Sequence, residues 1–152
     1  MLWHTIVCMD SYWTGASTKH KLRCHVVWLP KYRKRVLRGS LVGRLTELFY
    51  QACEINHWYI HELKIMTDHI HMLIQIRPKE SLSHVVQILK GGSSKKIREE
   101  YPELEEFLWG DSFWCDGYFA ETVGHMDEEA MRKYIQDQKE DSMPQKKKYS
   151  GF

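Results

Sequence analysis

The sequence predicts an α+β domain in which an antiparallel sheet is flanked by helices. Three observations support this fold class. Four short segments are rich in β-branched or aromatic residues, and three longer segments carry apolar residues at helical spacing. Turn residues separate these segments, which follow one another in the order β-α-β-β-α-β-α. With 152 residues, the chain has the common size of one domain.

The first predicted strand covers residues 22–29 and ends at Pro30. Gly39-Ser40 then offers a break and an N-cap for the first helix. The apolar stripe of this helix consists of Leu41, Leu45, Leu48, Ala52 and Ile55, and is widened by Val42 and Phe49. This stripe follows the spacing of one helix face, so a helix with one buried side is expected.

Two further strands are predicted at residues 58–66 and 69–76. The second alternates cleanly. One of its faces carries Ile70, Met72, Ile74 and Ile76, and the other carries His69, His71, Leu73 and Gln75. Only Thr67-Asp68 links the two strands, so they are expected to form an antiparallel hairpin.

The second half of the chain is predicted to add a helix, a strand and a helix. Ser81 caps the first of these helices, Gly91-Gly92 interrupts it, and residues 95–101 resume it. A strand is expected near residues 118–123, and the last helix runs from residue 127 to about 139. This order is that of a ferredoxin-like fold with one additional C-terminal helix.

We expect one domain at residues 12–141, between an N-terminal extension at 1–11 and a basic, disordered tail at 142–152. The composition is that of an ordinary soluble globular protein. No stretch is apolar enough to span a membrane, and the N-terminus is a poor signal peptide. The sequence therefore predicts a cytoplasmic protein without a membrane partner.

Charge is distributed unevenly along the chain. No acidic residue occurs between Asp10 and Glu47. The basic residues in that interval are Lys19, Lys21, Arg23, Lys31, Arg33, Lys34, Arg35, Arg38 and Arg44. This asymmetry indicates a basic face for a polyanion. The alternative is a solvated, charged loop.

His69 and His71 are the sharpest chemical feature. Residues two apart on a strand point to the same side, so both imidazoles are expected on one face of the sheet. Two convergent imidazoles suit a divalent metal and leave other coordination positions open. Asp68 could orient one ring by accepting a hydrogen bond. The alternative is a pair of half-exposed histidines on an open sheet.

Tyr134 and Gln138 lie four residues apart on the last predicted helix and so share one of its faces. The carbonyl oxygen of a Gln side chain is compatible with a hard cation such as Mg²⁺ or Mn²⁺. A tyrosine on the same face could be delivered to that metal. The alternative is that Tyr134 continues the core stripe formed by Met131 and Ile135.

The run Asp68-His69-Ile70-His71 resembles the His-hydrophobic-His motif of the single-tyrosine HUH transposases of small bacterial insertion sequences, the IS200/IS605 class. Four other segments resemble this family in the same order. They are Trp28-Leu29-Pro30-Lys31-Tyr32-Arg33, Leu89-Lys90-Gly91-Gly92-Ser93-Ser94, Leu108-Trp109-Gly110 through Gly117-Tyr118-Phe119, and Lys133-Tyr134-Ile135-Gln136-Asp137-Gln138. The resemblance spans residues 12–139, and five ordered motifs make it specific.

The resemblance implies an enzyme that cuts and rejoins single-stranded DNA. His69, His71 and Gln138 would hold one Mg²⁺ or Mn²⁺ ion. Tyr134 would attack phosphorus and form a 5′-phosphotyrosine, leaving a free 3′-OH. The family works as homodimers whose active sites are shared between subunits, and Gly124 could be the hinge for that exchange. Gly124 could equally be a simple turn glycine.

The substrate that the resemblance implies is the hairpin-bearing end of an insertion sequence. The expected phosphate contacts are Lys31, Arg33, Lys34, Arg35, Lys90 and Lys95, and Tyr32 could stack on a base. Two alternatives use the same fold. One is a domesticated relative that acts on chromosomal repeat hairpins, and the other is a non-catalytic module that binds single strands on its sheet.

Overall fold

The structure is a computed structural model that describes residues 12–124 and 128–138. Its strands are β1 (Trp13–Thr14), β2 (Lys19–His20), β3 (Leu22–Trp28), β4 (Tyr59–Ile65), β5 (Ile70–Ile76) and β6 (Phe119–Thr122). Its helices are α1 (Ser40–Asn56), α2 (Leu82–Glu100), α3 (Glu105–Leu108) and α4 (Glu128–Gln136). Short 3-10 turns occur at Lys31–Arg33 and Pro102–Leu104.

β3 to β6 form one antiparallel sheet in the spatial order β4-β5-β3-β6, and β1 and β2 form a separate two-stranded ribbon. The first strand of the predicted pattern, β3, thus lies between the third and the fourth, which is the ferredoxin-like arrangement. The predicted α+β, ferredoxin-like fold is confirmed. β4 and β5 are adjacent and antiparallel, as the short link between them predicted.

Alternation along β5 separates the two faces of the sheet. Met72 and Ile74 point into the main core, where they meet the inner sides of α1 and α2. The other face carries a second, smaller cluster in which Leu73 packs against Val123 and Ile135. The polar residues of β5 therefore point toward α4.

Two hydrogen bonds also tie α4 to β4 at the edge of the sheet. Arg132 Nη2 lies 3.1 Å from His61 Nδ1, and Gln136 Nε2 donates to Glu62 Oε2 at 3.1 Å. Burial lowers the pKa of His61 to about 4, opposed in part by its hydrogen bond to Gln75. Neutral His61 can accept from Arg132, so α4 is docked on the sheet of its own chain.

Two local predictions were wrong. Gly91-Gly92 does not interrupt α2, which runs unbroken from Leu82 to Glu100. Each glycine costs a helix about 1 kcal/mol relative to alanine, but burial of Leu89 and Ile97 on the inner side outweighs this cost. The N-cap of α1 is Gly39 rather than Ser40, so no side chain caps the start of this helix.

Other features agree with expectation or fall outside the described residues. Ser81 caps α2, because its Oγ accepts from the backbone N–H of His84 at 3.2 Å. The last helix, predicted to run to about Lys139, ends at Gln136, so that prediction was too long by about three residues. Its predicted start, Asp127, lies outside the described residues, as do the N-terminal extension and the tail. Within the described ranges, no helix is both long and apolar enough to cross a membrane.

Candidate active site

His69 and His71 lie together beneath α4. The centroids of their rings are 5.0 Å apart, and both side chains are fully buried. His71 belongs to β5, and His69 immediately precedes that strand. The alternative of two half-exposed histidines is wrong, because His25 of β3 and Tyr134 of α4 pack against His71.

Hydrogen bonds at Nδ1 determine which ring nitrogen of His69, and through His25 which nitrogen of His71, carries the proton. His69 Nδ1 lies 2.6 Å from Asp68 Oδ1, and His25 Nδ1 lies 3.0 Å from Glu121 Oε1. An ionised carboxylate only accepts, so both of these nitrogens carry the proton. His25 Nε2 can then accept from His71 Nδ1, which lies 3.0 Å away. Both His69 and His71 are thereby left with an Nε2 lone pair.

Those two Nε2 atoms are buried and have no hydrogen-bond partner among the described residues. An unsatisfied buried polar atom costs about 1–3 kcal/mol, so two such atoms on rings with centroids 5.0 Å apart indicate a site for a ligand. Imidazole nitrogens with the other ring nitrogen held by an acceptor are typical metal ligands. The residues present therefore fit a divalent metal ion.

The protonation of the site suits the same ion. Burial, and then the neighbouring rings of His25 and His69, lower the pKa of His71 to about 3. Burial also lowers the pKa of His25, although Glu121 opposes the shift. His71 is therefore neutral at pH 7, as a metal ligand must be, and the lowered pKa of His25 favours the neutral ring that accepts from His71.

Asp68 connects His69 with the basic segment Lys31–Arg35. Arg33 Nε donates to Asp68 Oδ2 at 2.9 Å, while Asp68 Oδ1 accepts from His69. Burial raises the pKa of Asp68, but its bonds to His69 and Arg33 outweigh burial and the pKa is lowered. Asp68 is therefore ionised, and one carboxylate orients both a ring of the site and a residue of the basic segment.

Among residues 12–124 and 128–138, no group of three or more His, Cys, Asp or Glu side chains could hold a metal. A protein site here must therefore be completed by another residue type or by the substrate. Gln138 was predicted on the same helix as Tyr134 but lies two residues beyond the end of α4, where its Nε2 donates to the backbone carbonyl of Tyr134 at 3.1 Å. The role of Gln138 as a ligand stays a prediction.

Tyr134 stands at the edge of the histidine cluster. Its ring is perpendicular to those of His25 and His71, with centroids 6.1 and 6.2 Å away. The core position on this helix is occupied by Ile135, which is fully buried, whereas Tyr134 is 42% exposed. Tyr134 is thus not a core residue, and a nucleic acid can reach its side chain.

The other predicted DNA contacts differ in their surroundings. Tyr32, Lys34, Arg35 and Lys95 are exposed, whereas Lys31 is partly buried and forms an ion pair with Asp111 at 2.9 Å.

Lys90 lies in a different environment from the other predicted DNA contacts. Its Nζ donates to the carbonyls of Cys115 and Gly117 at 2.7 and 2.8 Å, and burial lowers its pKa. Lys90 therefore holds the loop before β6, and its contact with phosphate stays a prediction. Gly124 is exposed, and its proposed hinge involves residues 125–127, outside the described part.

Sequence reasoning missed His25 and Glu121. β3 pairs with β5 so that Val27 faces His71, and His25, two residues earlier, lies on the same side of the sheet. β6 pairs with β3 and places Glu121 opposite His25. The alternation of residues 22–29 could have indicated that His25 and Val27 share a face. Only the strand pairing shows that this face is the one bearing His71.

Both the sequence and the fold of this chain are similar to those of known transposases. A sequence model described as "Transposase IS200 like" matches residues 18–138. ISDra2 transposase TnpA of Deinococcus radiodurans is 31% identical over 124 residues, which cover 82% of this chain and 89% of that protein. The transposase for insertion sequence element IS200 of Salmonella typhimurium is 36% identical over 109 residues, 72% of each chain.

Solved structures agree with this. The crystal structure of a protein assigned as a transposase from Deinococcus radiodurans R1 has a TM-score of 0.69 and 27% identity, covering 83% of this chain and 97% of that one. A REP-associated tyrosine transposase bound to a REP hairpin shares the fold, with a TM-score of 0.58 and 12% identity over 82% of this chain and 70% of that one. This chain belongs to the IS200-like transposase family.

Proposed function

We propose that this transposase cleaves and rejoins single-stranded DNA at the hairpin-bearing ends of an insertion sequence, with Tyr134 as the nucleophile. One observation carries the proposal. The ring of Tyr134 lies against His71, and the buried Nε2 atoms of His71 and His69 have no partner within the described part of the chain. A nucleophile next to two imidazole nitrogens that can bind a metal is an arrangement suited to phosphoryl transfer.

The reaction is balanced without an external energy source. The phenolic oxygen of Tyr134 attacks phosphorus and loses its proton, and the bond from phosphorus to the 3′ oxygen breaks. The products are a 5′-phosphotyrosine and a free 3′-OH. The 3′-OH of another strand then attacks the phosphotyrosine and releases the tyrosine. One phosphoester replaces another in each step, so DNA is rejoined without ATP.

The family is generally metal-dependent. In this chain His69, His71 and Gln138 would hold Mg²⁺ or Mn²⁺, and the ion when bound would polarise the scissile phosphate. Two imidazoles and an amide oxygen carry no charge, so the protein alone should bind Mg²⁺ weakly, and the phosphates of bound DNA are expected to complete the site.

The hairpin substrate has two sources of support. The sequence relatives at 31% and 36% identity are transposases of insertion elements, which favours a mobile element over a domesticated function. A protein with the same fold is bound to a REP hairpin, so the fold is compatible with hairpin recognition. The exposed residues Tyr32, Lys34 and Arg35 beside the Asp68–His69 pair offer a place for single-stranded phosphates.

The proposal is tested by covalent capture. Purified protein is incubated in Mg²⁺ with a labelled single strand that contains one hairpin and unpaired flanks, and adducts are separated under denaturing conditions. We expect a protein–DNA adduct with this strand and at least about tenfold less with the same sequence as a perfect duplex, because the active site needs an unpaired strand. Equal attachment to both substrates, or none to either, would contradict the proposal.

A second prediction concerns His25. Substitution His25→Ala removes the acceptor that fixes the tautomer of His71, so the Mg²⁺ concentration for half-maximal cleavage should rise about 10- to 100-fold. Glu121→Gln keeps an acceptor for His25 and should cause a smaller rise. The matched control is His84→Ala, at an exposed position on α2.

Excess Mg²⁺ should largely restore the cleavage rate of His25→Ala, because its nucleophile is unchanged. If the maximal rate falls while the Mg²⁺ dependence stays as in the wild type, His25 does not act through the metal site. Binding of the hairpin strand in chelator checks that the variant is folded.

A third prediction is a homodimer that shares its sites. In the single chain α4 rests on its own sheet, through Ile135 and the Arg132–His61 contact. An exchanged dimer would keep the same contacts between two chains, and such exchange is a low-cost route to symmetric assembly. Tyr134 of each chain would then serve His69 and His71 of the other.

Complementation distinguishes the two arrangements. Chains with Tyr134→Phe are mixed with chains carrying His69→Ala and His71→Ala under conditions that allow subunits to exchange. Shared sites predict one working site per heterodimer, with the adduct on the histidine-mutant chain. Inactive mixtures in which heterodimers have been shown to form would mean that each site is built within one chain.

A further inference from the structure

Trp109 is the most exposed large hydrophobic side chain in the described part of the molecule, at 86%. By contrast, Trp28, Trp58 and Trp114 are all buried. One exposed apolar residue is common on protein surfaces and needs no explanation by itself. The conformation and the neighbours of Trp109 are less ordinary.

Trp109 adopts a left-handed backbone conformation with φ of 51°, and Gly110 follows with φ of 80°. For a bulky residue this conformation is uncommon and costs free energy, so the surrounding structure must impose it. Three hydrogen bonds do so. Trp109 N donates to the carbonyl of Glu105, Gly110 N to Glu105 Oε2, and Asp111 N to the carbonyl of Leu108.

Glu105 is itself anchored to α2, because Arg98 Nη2 and Nε lie 2.8 and 2.9 Å from Glu105 Oε1. The turn that follows α3 is thus a defined structure with one outward-pointing indole. The Trp109 side chain is displayed from a fixed position rather than from a loose loop, which lowers the entropy it would lose on binding a partner.

This turn is joined to the basic segment Lys31–Arg35. Lys31 Nζ pairs with Asp111 at 2.9 Å, and Lys31 N donates to the carbonyl of Phe113 at 2.8 Å. Lys34 Nζ lies 5.8 Å from the centre of the Phe107 ring. The turn that displays the indole is therefore held directly against the basic segment.

The same segment leads to the histidines. Arg33, which like Tyr32 has a left-handed backbone, donates to Asp68, and Asp68 holds His69. The described residues include four with positive φ that are not glycine. Three of these four are Tyr32, Arg33 and Trp109. Backbone strain concentrated on one surface next to a candidate active site indicates a binding role.

We propose that Trp109 is a base-stacking residue, and that it receives an unpaired base of the same DNA strand whose phosphates lie along Lys31–Arg35. This inference rests on the proposed function and adds a contact to it. A rigid indole on a turn that Lys31 joins to the basic segment matches a single strand, which offers base faces and phosphates together. A protein partner would need a broad apolar patch around Trp109, whereas its exposed neighbours Glu106 and Asp111 are acidic and Gly110 has no side chain. Lys31 pairs with Asp111 and offsets the charge of that carboxylate next to the basic segment.

The test is binding of the full chain to a fluorescent hairpin with unpaired flanks, measured by anisotropy in chelator so that no cleavage occurs. Trp109→Ala should weaken binding about 5- to 100-fold, which corresponds to the loss of one stacked base, and Trp109→Phe should retain most of the wild-type affinity. The matched control is Tyr50→Ala, an exposed aromatic on α1 whose position carries no proposed DNA contact. A strand with 5-iodouracil in its flank should crosslink to the peptide containing Trp109.

The outcomes separate the two proposals. If wild-type protein binds and cleaves the hairpin strand while Trp109→Ala binds it equally well, the stacking role is overturned and the proposed function stands. If the wild type neither binds nor cleaves any hairpin strand, the proposed function fails and the stacking role fails with it. A change of oligomeric state in Trp109→Ala with unchanged DNA affinity also overturns the inference, and assigns Trp109 to contact with a second copy.

Discussion

Tyr134→Phe is expected to abolish the covalent adduct with the hairpin strand, by at least about 10³-fold, because the variant keeps the ring and loses the only atom that attacks phosphorus. The ring lies against His25 and His71 and is partly exposed, so phenylalanine should pack there without disturbing α4. DNA affinity should stay within a few-fold of wild type. The measurement is adduct formation under denaturing conditions, alongside affinity in chelator.

The matched control is Tyr50→Phe, which removes the hydroxyl of a tyrosine of similar overall exposure on α1, on the other side of the sheet from α4. It should form the adduct at the wild-type rate. If Tyr134→Phe forms the adduct as fast as that control, another residue is the nucleophile. The histidine pair would then need a different partner.

His71→Ala is expected to reduce cleavage by more than about 100-fold, because it removes one of two adjacent imidazoles whose buried Nε2 atoms have no partner in residues 12–124 and 128–138. It also removes the His71 Nδ1 donor that His25 Nε2 accepts from, so added Mn²⁺ should restore little activity. Calorimetry with Mn²⁺ and a hairpin strand that cannot be cleaved should show weaker metal binding than in wild type.

A second variant distinguishes loss of the metal site from misfolding of the protein. His69→Gln keeps a polar side chain and the strand geometry, and it should lose activity in the same way while unfolding near the wild-type temperature. His84→Ala, at an exposed position, should change neither activity nor metal binding. Full cleavage by wild-type protein in excess chelator would refute a metal role for the histidine pair.

Much of this architecture could be predicted from local sequence. The alternation of residues 69–76 predicted a strand with histidines on one face, and the short link before it predicted the antiparallel hairpin. Helical spacing placed Tyr134 and Ile135 on the last helix. These predictions succeed because side-chain direction in a strand or a helix depends on residues a few positions apart.

Local patterns were less informative where packing opposed propensity. Gly91-Gly92 indicated a break, but the buried side of α2 keeps the helix continuous. Lys90 was predicted to contact phosphate, but its Nζ donates two hydrogen bonds to backbone carbonyls that lie 25 and 27 residues away along the chain. Both outcomes depend on neighbours that a helical pattern does not contain.

Periodicity and turn signals predicted the four strands of the main sheet, the three longer helices, the histidine pair and the helix that bears Tyr134, but not β1, β2 or α3. Long-range contacts set what surrounds the site: His25 of β3 contacts His71, Glu121 of β6 contacts His25, and Arg33 reaches Asp68 across 35 residues. Burial of both histidines, and with it the low pKa of His71, also arises only when the strands pair and α4 docks. The physical reason is that strand register and helix docking are set by contacts between residues far apart in the chain, whereas periodicity records only which side of its own element each residue occupies.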